Sequence, residues 1–467
     1  MRVIIVGAGM AGSAMVDELL KIDNSLNIHI FGEEKTLPYN RIYLTDVLSN
    51  KKLFSQLLLK SYQRLEEEGV KFHIGERIEK VFPEIKKLIS SQGNMLSYDK
   101  LILATGSIPN VPPIKGIDRR GVFFFRNIED VYNILEKARM SKKAVVVGGG
   151  LLGIECAKAL KDIGLESYLV HIFDTLMEQW LDKTASDMLK QKLESLGINV
   201  ILEKQAQEIL GDKKAEGIRF TDGQVLDSDF VVIATGVKPN VKLALDSGIR
   251  VNRGILVSDF LETSAPDVYA VGECIEHRGK TYGLFNPIIG QVKVCAKNVV
   301  YGNIEKYKES VTYSILKVAG IRLMSAGDIH EKETYDIFLY KDNENYRKAV
   351  LDNGRLKGFI LYGNLAGNEK LLEFLKTGKK IENGVILIKD IVVEEKKELK
   401  EKDIVCNCNV VSYGEILKAI KNGAKNLEDI QKLTKASTSC GSCAPLIESI
   451  IKEHVKEKLQ RINKVEE

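Results

Sequence analysis

The sequence predicts an α/β chain that repeats one βαβ plan twice, continues through a mixed α+β segment and ends in a small all-α module. Three observations predict it. Gly7-x-Gly9-x-x-Gly12 and Gly148-x-Gly150-x-x-Gly153 each join an apolar strand pattern to a helical one. The stretches "YDKLILATGSIPN" (98–110) and "SDFVVIATGVKPN" (228–240) repeat a strand ending in Ala-Thr-Gly. Two tight cysteine pairs, Cys406/Cys408 and Cys440/Cys443, are separated by 31 residues in a chain whose other cysteines are Cys156, Cys274 and Cys295.

In the first fold, "MRVIIV" is a buried-strand pattern and Met10 and Ala11 open the helix that follows. Gly7 permits the tight turn, Gly9 lets the backbone approach a pyrophosphate and Gly12 lets the helix pack on the strand. The helix N-terminus faces the anion. A second strand, "NIHIF", runs into Gly32-Glu33-Glu34, where an acid accepts hydrogen bonds from ribose hydroxyls. One of the two glutamates suffices; the other reads as a solvated loop residue. The second fold repeats the plan with Gly148, Gly150, Leu151, Leu152 and Gly153. Two dinucleotide folds in one chain suggest a flavin in one and a nicotinamide nucleotide in the other.

Composition closes off other classes. The chain has 467 residues, 68 Lys/Arg against 64 Asp/Glu and a net charge of +4, with basic runs interleaved with Glu. No nucleic-acid partner is expected. No apolar run approaches the ~18 residues of a membrane span, and no signal pattern opens the chain, so a cytoplasmic protein is expected. Seven cysteines, an odd number, argue against a disulfide framework.

These motifs together resemble the two-dinucleotide-fold flavoprotein reductases: ferredoxin and rubredoxin reductases, NADH oxidases and the apoptosis-inducing factor type. The resemblance implies two Rossmann-like, glutathione-reductase-like domains, the first binding FAD and the second NAD(P)H. It implies that Ala104, Thr105, Gly106 and Gly236 return the chain to its nucleotide domains. "TSAPDVYAVGECIE" (263–276) looks like the second FAD motif, with Gly272 and with Glu273 where the family has Asp. That substitution, with "HRGKTYGLFNP" after it, resembles the flavin half of assimilatory NAD(P)H-dependent nitrite reductase large subunits. By the same resemblance Arg41 in "LPYNR" touches the FAD phosphates and Ile78 offers backbone atoms to adenine. A lysine common shortly after this arginine is replaced by Asp46.

An acid at the end of the second fold's second strand would select NADH; a following Arg would select NADPH. His171 takes that place, compatible with either or with no ligand at all, and NADH is the favoured donor. Glu155 resembles the family's nicotinamide contact; otherwise it is a surface helix acid. The segment "PYNRIYLTDVLS" holds no cysteine, so the thiol relay of related disulfide reductases and peroxidases is absent. Cys156, Cys274 and Cys295 read as packing residues. No residue need act as catalyst; the protein positions the nicotinamide against the flavin.

The electrons then need another outlet. Four thiols in two pairs suit an iron–sulfur cluster or zinc. The segment 404–455 resembles the small helical [2Fe–2S] domain named for bacterioferritin-associated ferredoxin. That resemblance makes Cys406, Cys408, Cys440 and Cys443 cluster ligands. Ser412 with Glu415, and Asn426 with Asp429, read as helix caps.

The expected organisation is an FAD domain at 1–113 and 242–309, an NAD(P)H domain at 114–241, an interface domain at 310–393, a charged linker at 394–403 and the [2Fe–2S] domain at 404–455. The interface domain resembles one that covers the flavin or forms a dimer, so a monomer or a homodimer is open. The function implied is electron transfer from NAD(P)H through FAD and the cluster to a protein: a siroheme nitrite reductase subunit, a nitrate reductase, rubredoxin or a ferredoxin. Two other readings stand beside it: a redox or iron-linked protein whose cluster module docks on an iron-storage or regulatory partner, and a structural flavoprotein.

Overall fold

The computed structural model describes residues 1–59, 61–309, 311–318, 320–389, 399–406, 409, 411–438, 443–444, 446–452 and 454. The chain forms two compact units, Met1–Ile391 and Val392–Glu467.

The first unit holds two five-stranded parallel sheets that share a four-strand plan and differ in where the edge strand comes from. Across the first run Val268–Ala270, Lys100–Leu103, Arg2–Val6, Asn27–Gly32 and Lys71–Ile74. Across the second run Val122–Phe124, Phe230–Ile233, Lys143–Val147, Glu166–Val170 and Ile198–Ile201. The glycine-motif strand is central in both. Val3, Ile4 and Ile5, like Val145 and Val146, are fully buried, as sheets covered on both faces require. The edge strand Val268–Ala270 comes from beyond the second sheet in sequence. The first fold therefore closes only after the chain has built the second and returned.

The two crossings between the folds meet. Ser107–Pro109 pairs antiparallel with Val237–Pro239. Thr105 Oγ1 donates to Asn240 O at 2.7 Å, and Thr235 Oγ1 donates to Asn110 O at 2.9 Å. The Asn110 N–H donates to Gly236 O and the Asn240 N–H to Gly106 O, both at 2.9 Å. The repeated Ala-Thr-Gly-x-x-Pro-Asn is thus one reciprocal clasp rather than two separate returns.

An antiparallel five-stranded sheet follows, in the order Tyr313–Val318, Ile321–Gly327, Arg355–Tyr362, Tyr346–Asp352, Asp336–Lys341, with the helix Asn368–Thr377. It packs on the second nucleotide fold. Leu316, Leu323, Tyr346 and Ile360 share a core with Ile154 and Leu160 of the helix Leu151–Asp162 and Leu189 and Leu193 of the helix Lys183–Ser195. Tyr346 Oη donates to Asp182 at 2.5 Å, and the buried Lys348 ammonium lies between Asp182 and Glu331 at 3.2 and 3.0 Å.

In the second unit Ile404–Cys406 pairs antiparallel with Val411–Ser412, followed by the helices Tyr413–Lys421 and Leu427–Thr434; residues 446–452 are helical too. Ser412 and Glu415 cap each other, the Ser412 N–H donating to Glu415 Oε2 at 2.8 Å and the Glu415 N–H to Ser412 Oγ at 3.3 Å. Asn426 Oδ1 accepts from the Asp429 N–H at 2.9 Å. The expected linker, 394–403, divides: 394–398 lie outside the described residues, while 401 and 403 are bonded to the module. Their carbonyls accept from the N–H groups of Gly414 and Tyr413, at 2.9 and 2.7 Å.

Candidate functional site

The two glycine loops are built alike. A methyl at Gly7 would lie 2.0 Å from the Ala104 carbonyl oxygen, and at Gly148 2.3 Å from that of Ala234. A methyl at Gly12 would lie 1.9 Å from Gly7 O, and at Gly153 1.8 Å from Gly148 O. Gly9 and Gly150 differ: nothing stands within 4 Å of a methyl there. Each is the N-cap of its helix, Met10–Ile22 or Leu151–Asp162, without a side-chain cap and with no acid in the first turn. The first-turn N–H groups lack intrahelical partners, so each loop offers open donors and a positive helix end to an anion. Both loops fit a pyrophosphate. This is the observation by which the chain accommodates FAD and NAD(P)H.

Around the first loop, Glu33 is exposed and Glu34 is engaged by Tyr39 Oη at 2.7 Å and by Arg41. Arg41 Nη1 also donates to Arg126 O at 3.2 Å. Of the expected acids, Glu33 is the one turned to solvent. The loop before Ile78 is tied to the same strand end, the Glu76 N–H donating to Gly32 O at 3.0 Å. Ile78 itself is buried and pairs with Ser90.

Glu273 accepts from Ser107 Oγ and from Arg126 Nη2, both at 2.6 Å. Arg126 is a site residue that sequence reasoning missed. Asn127 and Asp130 fix its backbone, the Arg126 N–H donating to Asp130 Oδ2 at 2.8 Å. The signal available was a carboxylate at 273 in need of a cation. Gly272 lies beside it, its N–H donating to Gln291 Oε1 at 2.7 Å.

The folds meet at Glu155. It is 5% exposed and accepts from Thr45 Oγ1 at 3.2 Å, so it is not a surface acid. Asp46 turns to Lys52, 2.8 Å away. His171 is buried; its Nδ1 accepts from the Gly149 N–H at 3.0 Å and its Nε2 lies 3.2 Å from Glu178 Oε2. Asp174 is exposed. Cys156, Cys274 and Cys295 are fully buried, and burial pushes all three thiols up. They pack rather than react.

In the second unit Cys406 and Cys443 are buried in one core with Val405, Val411, Ile416 and Ile447. The Ser437 N–H points at Cys406 Sγ at 3.5 Å, the kind of donor that supports a thiolate. Asn409 Nδ2 donates to Thr438 Oγ1 at 3.0 Å, tying together the two loops that carry cysteines. This donor chemistry fits a thiolate-bound cluster. Cys408 and Cys440 lie outside the described residues.

Comparison with known proteins agrees with this geometry. Residues 313–379 match the rubredoxin NAD+ reductase C-terminal domain, and residues 404–453 the BFD-like [2Fe-2S] binding domain. A Bacillus subtilis (strain 168) nitrite reductase [NAD(P)H] is 39% identical over 96% of this chain and 57% of its own length. The assimilatory nitrate reductase electron transfer subunit of the same organism is 38% identical over 97% of this chain and 59% of its own. The chain thus spans less than two thirds of these relatives. The crystal structure of NADH:rubredoxin oxidoreductase from Clostridium acetobutylicum superposes with a TM-score of 0.70 at 29% identity, covering 84% of this chain and 98% of that one. Residues 1–298 match the pyridine nucleotide-disulphide oxidoreductase family. The chain belongs to that family: it is an oxidoreductase that uses FAD and NAD(P)H and carries a [2Fe–2S] domain at its C-terminal end.

Proposed function

We propose that this chain carries electrons from NADH to a separate redox protein, with its own [2Fe–2S] module as the exit. The observation that carries this reading is a pairing. Two open phosphate cradles stand in one unit, a cysteine module follows, and no cysteine occurs in residues 37–49 to serve as a thiol route. When bound, FAD supplies the change from two-electron to one-electron transfer that a cluster requires.

The chain's residues hold and orient. The first turns at Met10–Ala11 and Leu151–Leu152 take the pyrophosphates of FAD and the nicotinamide nucleotide. Glu33 takes the FAD ribose, and Ile78 the adenine edge. Arg41 stands for the FAD phosphates and Glu273 for the ribityl chain, with Arg126 holding the Glu273 carboxylate. Ala104–Gly106 and Gly236 close the two sites through the clasp. Glu155, buried between the folds, meets the nicotinamide amide. The domains run as 1–113 with 242–309, 114–241, 310–393 and 404–455. Support for the discontinuous first domain comes from Val268–Ala270, which completes the first sheet. The acceptor is a one-electron carrier: a siroheme nitrite reductase-type subunit, a nitrate reductase, rubredoxin or a ferredoxin. The names of the relatives support this class. Among the described residues no helix is long and apolar enough to cross a membrane, which is compatible with a cytoplasmic place. The chain works as a monomer or a homodimer.

Replacing Cys443 with Ser tests the exit. The variant should still let NADH bleach the flavin in stopped flow, yet lose reduction of rubredoxin or ferredoxin. Reduction of those proteins at the parent rate by a cluster-free variant would overturn the reading.

A further inference from the structure

The second cradle has no acid where the first has two. Val147 pairs with Val170 as Val6 pairs with Phe31, so His171 is the counterpart of Gly32. Ile172 and Phe173 therefore stand where Glu33 and Glu34 stand. Both are exposed, at 46% and 50%, and neither side chain can accept a hydrogen bond from a ribose.

The acid arrives by another route. His171 Nδ1 accepts from the Gly149 N–H, which leaves Nε2 as the protonated nitrogen of the neutral ring, facing Glu178 Oε2 at 3.2 Å. The Met177 N–H donates to Gly149 O at 3.0 Å, so both backbone groups of Gly149 are held by the segment 171–178. Met177 adopts φ +51°, a left-handed conformation uncommon for a residue with a side chain, and this turn brings Glu178 back to the strand end. The Glu178 side chain is fixed at one oxygen and remains 36% exposed.

We propose that Glu178, positioned by His171, accepts the adenosine ribose hydroxyls of the nicotinamide nucleotide and selects NADH over NADPH. The inference rests on the second fold being the nicotinamide nucleotide site. An ionised carboxylate at this end accepts from the 2′- and 3′-hydroxyls and repels a 2′-phosphate. The His171 hydrogen bond holds the Glu178 carboxyl below the usual carboxylate range, so it is charged at neutral pH. The other charged groups of this end agree. Asp174 and Glu203 are exposed acids, and the Glu203 N–H donates to Phe173 O at 3.1 Å. Lys204, whose N–H donates to His171 O at 2.9 Å, gives its ammonium to Asp222; Lys183 gives its own to Asp187 at 2.5 Å. Each of these lysines is paired with a carboxylate in the structure.

The test is calorimetric titration of the full-length, FAD-loaded protein with ADP-ribose, 2′-phospho-ADP-ribose and ADP, none of which can be reduced or oxidised as a nicotinamide is. The parent protein should prefer ADP-ribose to its 2′-phosphate. Glu178→Gln keeps an acceptor for His171 and should cut that preference by about tenfold or more, in part by strengthening binding of the 2′-phosphate. ADP carries the same ribose diol, so it should weaken with ADP-ribose while the 2′-phosphate tightens; loosening of the fold would weaken all three alike. An unchanged preference, or parallel weakening of all three ligands, overturns the proposal. Failure of the parent protein to bind any of them overturns instead the assignment of the second fold to the nicotinamide nucleotide.

Discussion

The two glycine loops share a backbone and differ at one contact. In the first, Ala8 lies against Gly32, where a methyl would come within 2.7 Å of the Ala8 Cβ. In the second, Gly149 lies against His171, and a methyl on Gly149 would come within 2.5 Å of the ring and 2.7 Å of Leu176. Small faces large in both, with the sizes exchanged. The phosphate-binding part is dictated by close backbone approach and does not vary between the folds. The strand end is where each fold acquires its own chemistry: two acids directly after Gly32, and a histidine carrying Glu178 in the second.

The comparison can be broken most severely at its shared part. Gly153→Ala and Gly12→Ala each drive a methyl into a carbonyl oxygen of the same loop. Each should cost about 3 kcal/mol or more in thermal unfolding and abolish binding at its own site. Gly150→Ala is the contrasting case. Its φ of −81° suits alanine and its surroundings are open. Stability should hold or rise by about 0.5 kcal/mol while affinity for ADP-ribose falls. Equal stability losses at 150 and 153 would show that the middle glycine is structural as well.

The size exchange is sharpened by a double-mutant cycle. Gly149→Ala should cost about 1–3 kcal/mol through overpacking. Adding His171→Gly imports the first fold's arrangement and should recover stability, with a coupling above about 1 kcal/mol in denaturant melts. Additive losses would mean that the two positions are not packed against each other.

The smallest effect belongs to the clasp. Thr105→Val removes a part-buried hydrogen bond and should cost about 1 kcal/mol. Thr235→Val removes its exposed counterpart and should cost less in the same measurement. The reverse order would contradict the assignment of the larger share to the more buried of the two bonds.

What could be read from the sequence was local. The glycine spacings, the Ala-Thr-Gly repeats and the Ser412 and Asn426 caps all lie within a few residues, and each specifies its geometry through backbone sterics or short hydrogen bonds. What could not be read joins distant residues. Arg126 meets Glu273 across 147 positions, and the clasp joins Thr105 to Asn240 across 135. Glu178 is only seven residues from His171, yet it arrives through a left-handed turn at Met177 that no propensity signals. Glu155 was ambiguous because its helix buries Gly153 through Ala157 without a break, so periodicity marks no polar face. The packing of the antiparallel sheet on the helices of the second fold likewise joins residues far apart in sequence.

The central claim is that electrons leave through the cysteine module. The direct measurement is anaerobic titration of the full-length, FAD- and cluster-loaded protein with NADH, followed by absorbance and EPR, with rubredoxin or ferredoxin then added. The account predicts that both the flavin and the cluster signals change on reduction, and that the cluster signal is lost as the added protein becomes reduced. Reduction of the added protein while the cluster never changes its oxidation state would contradict it.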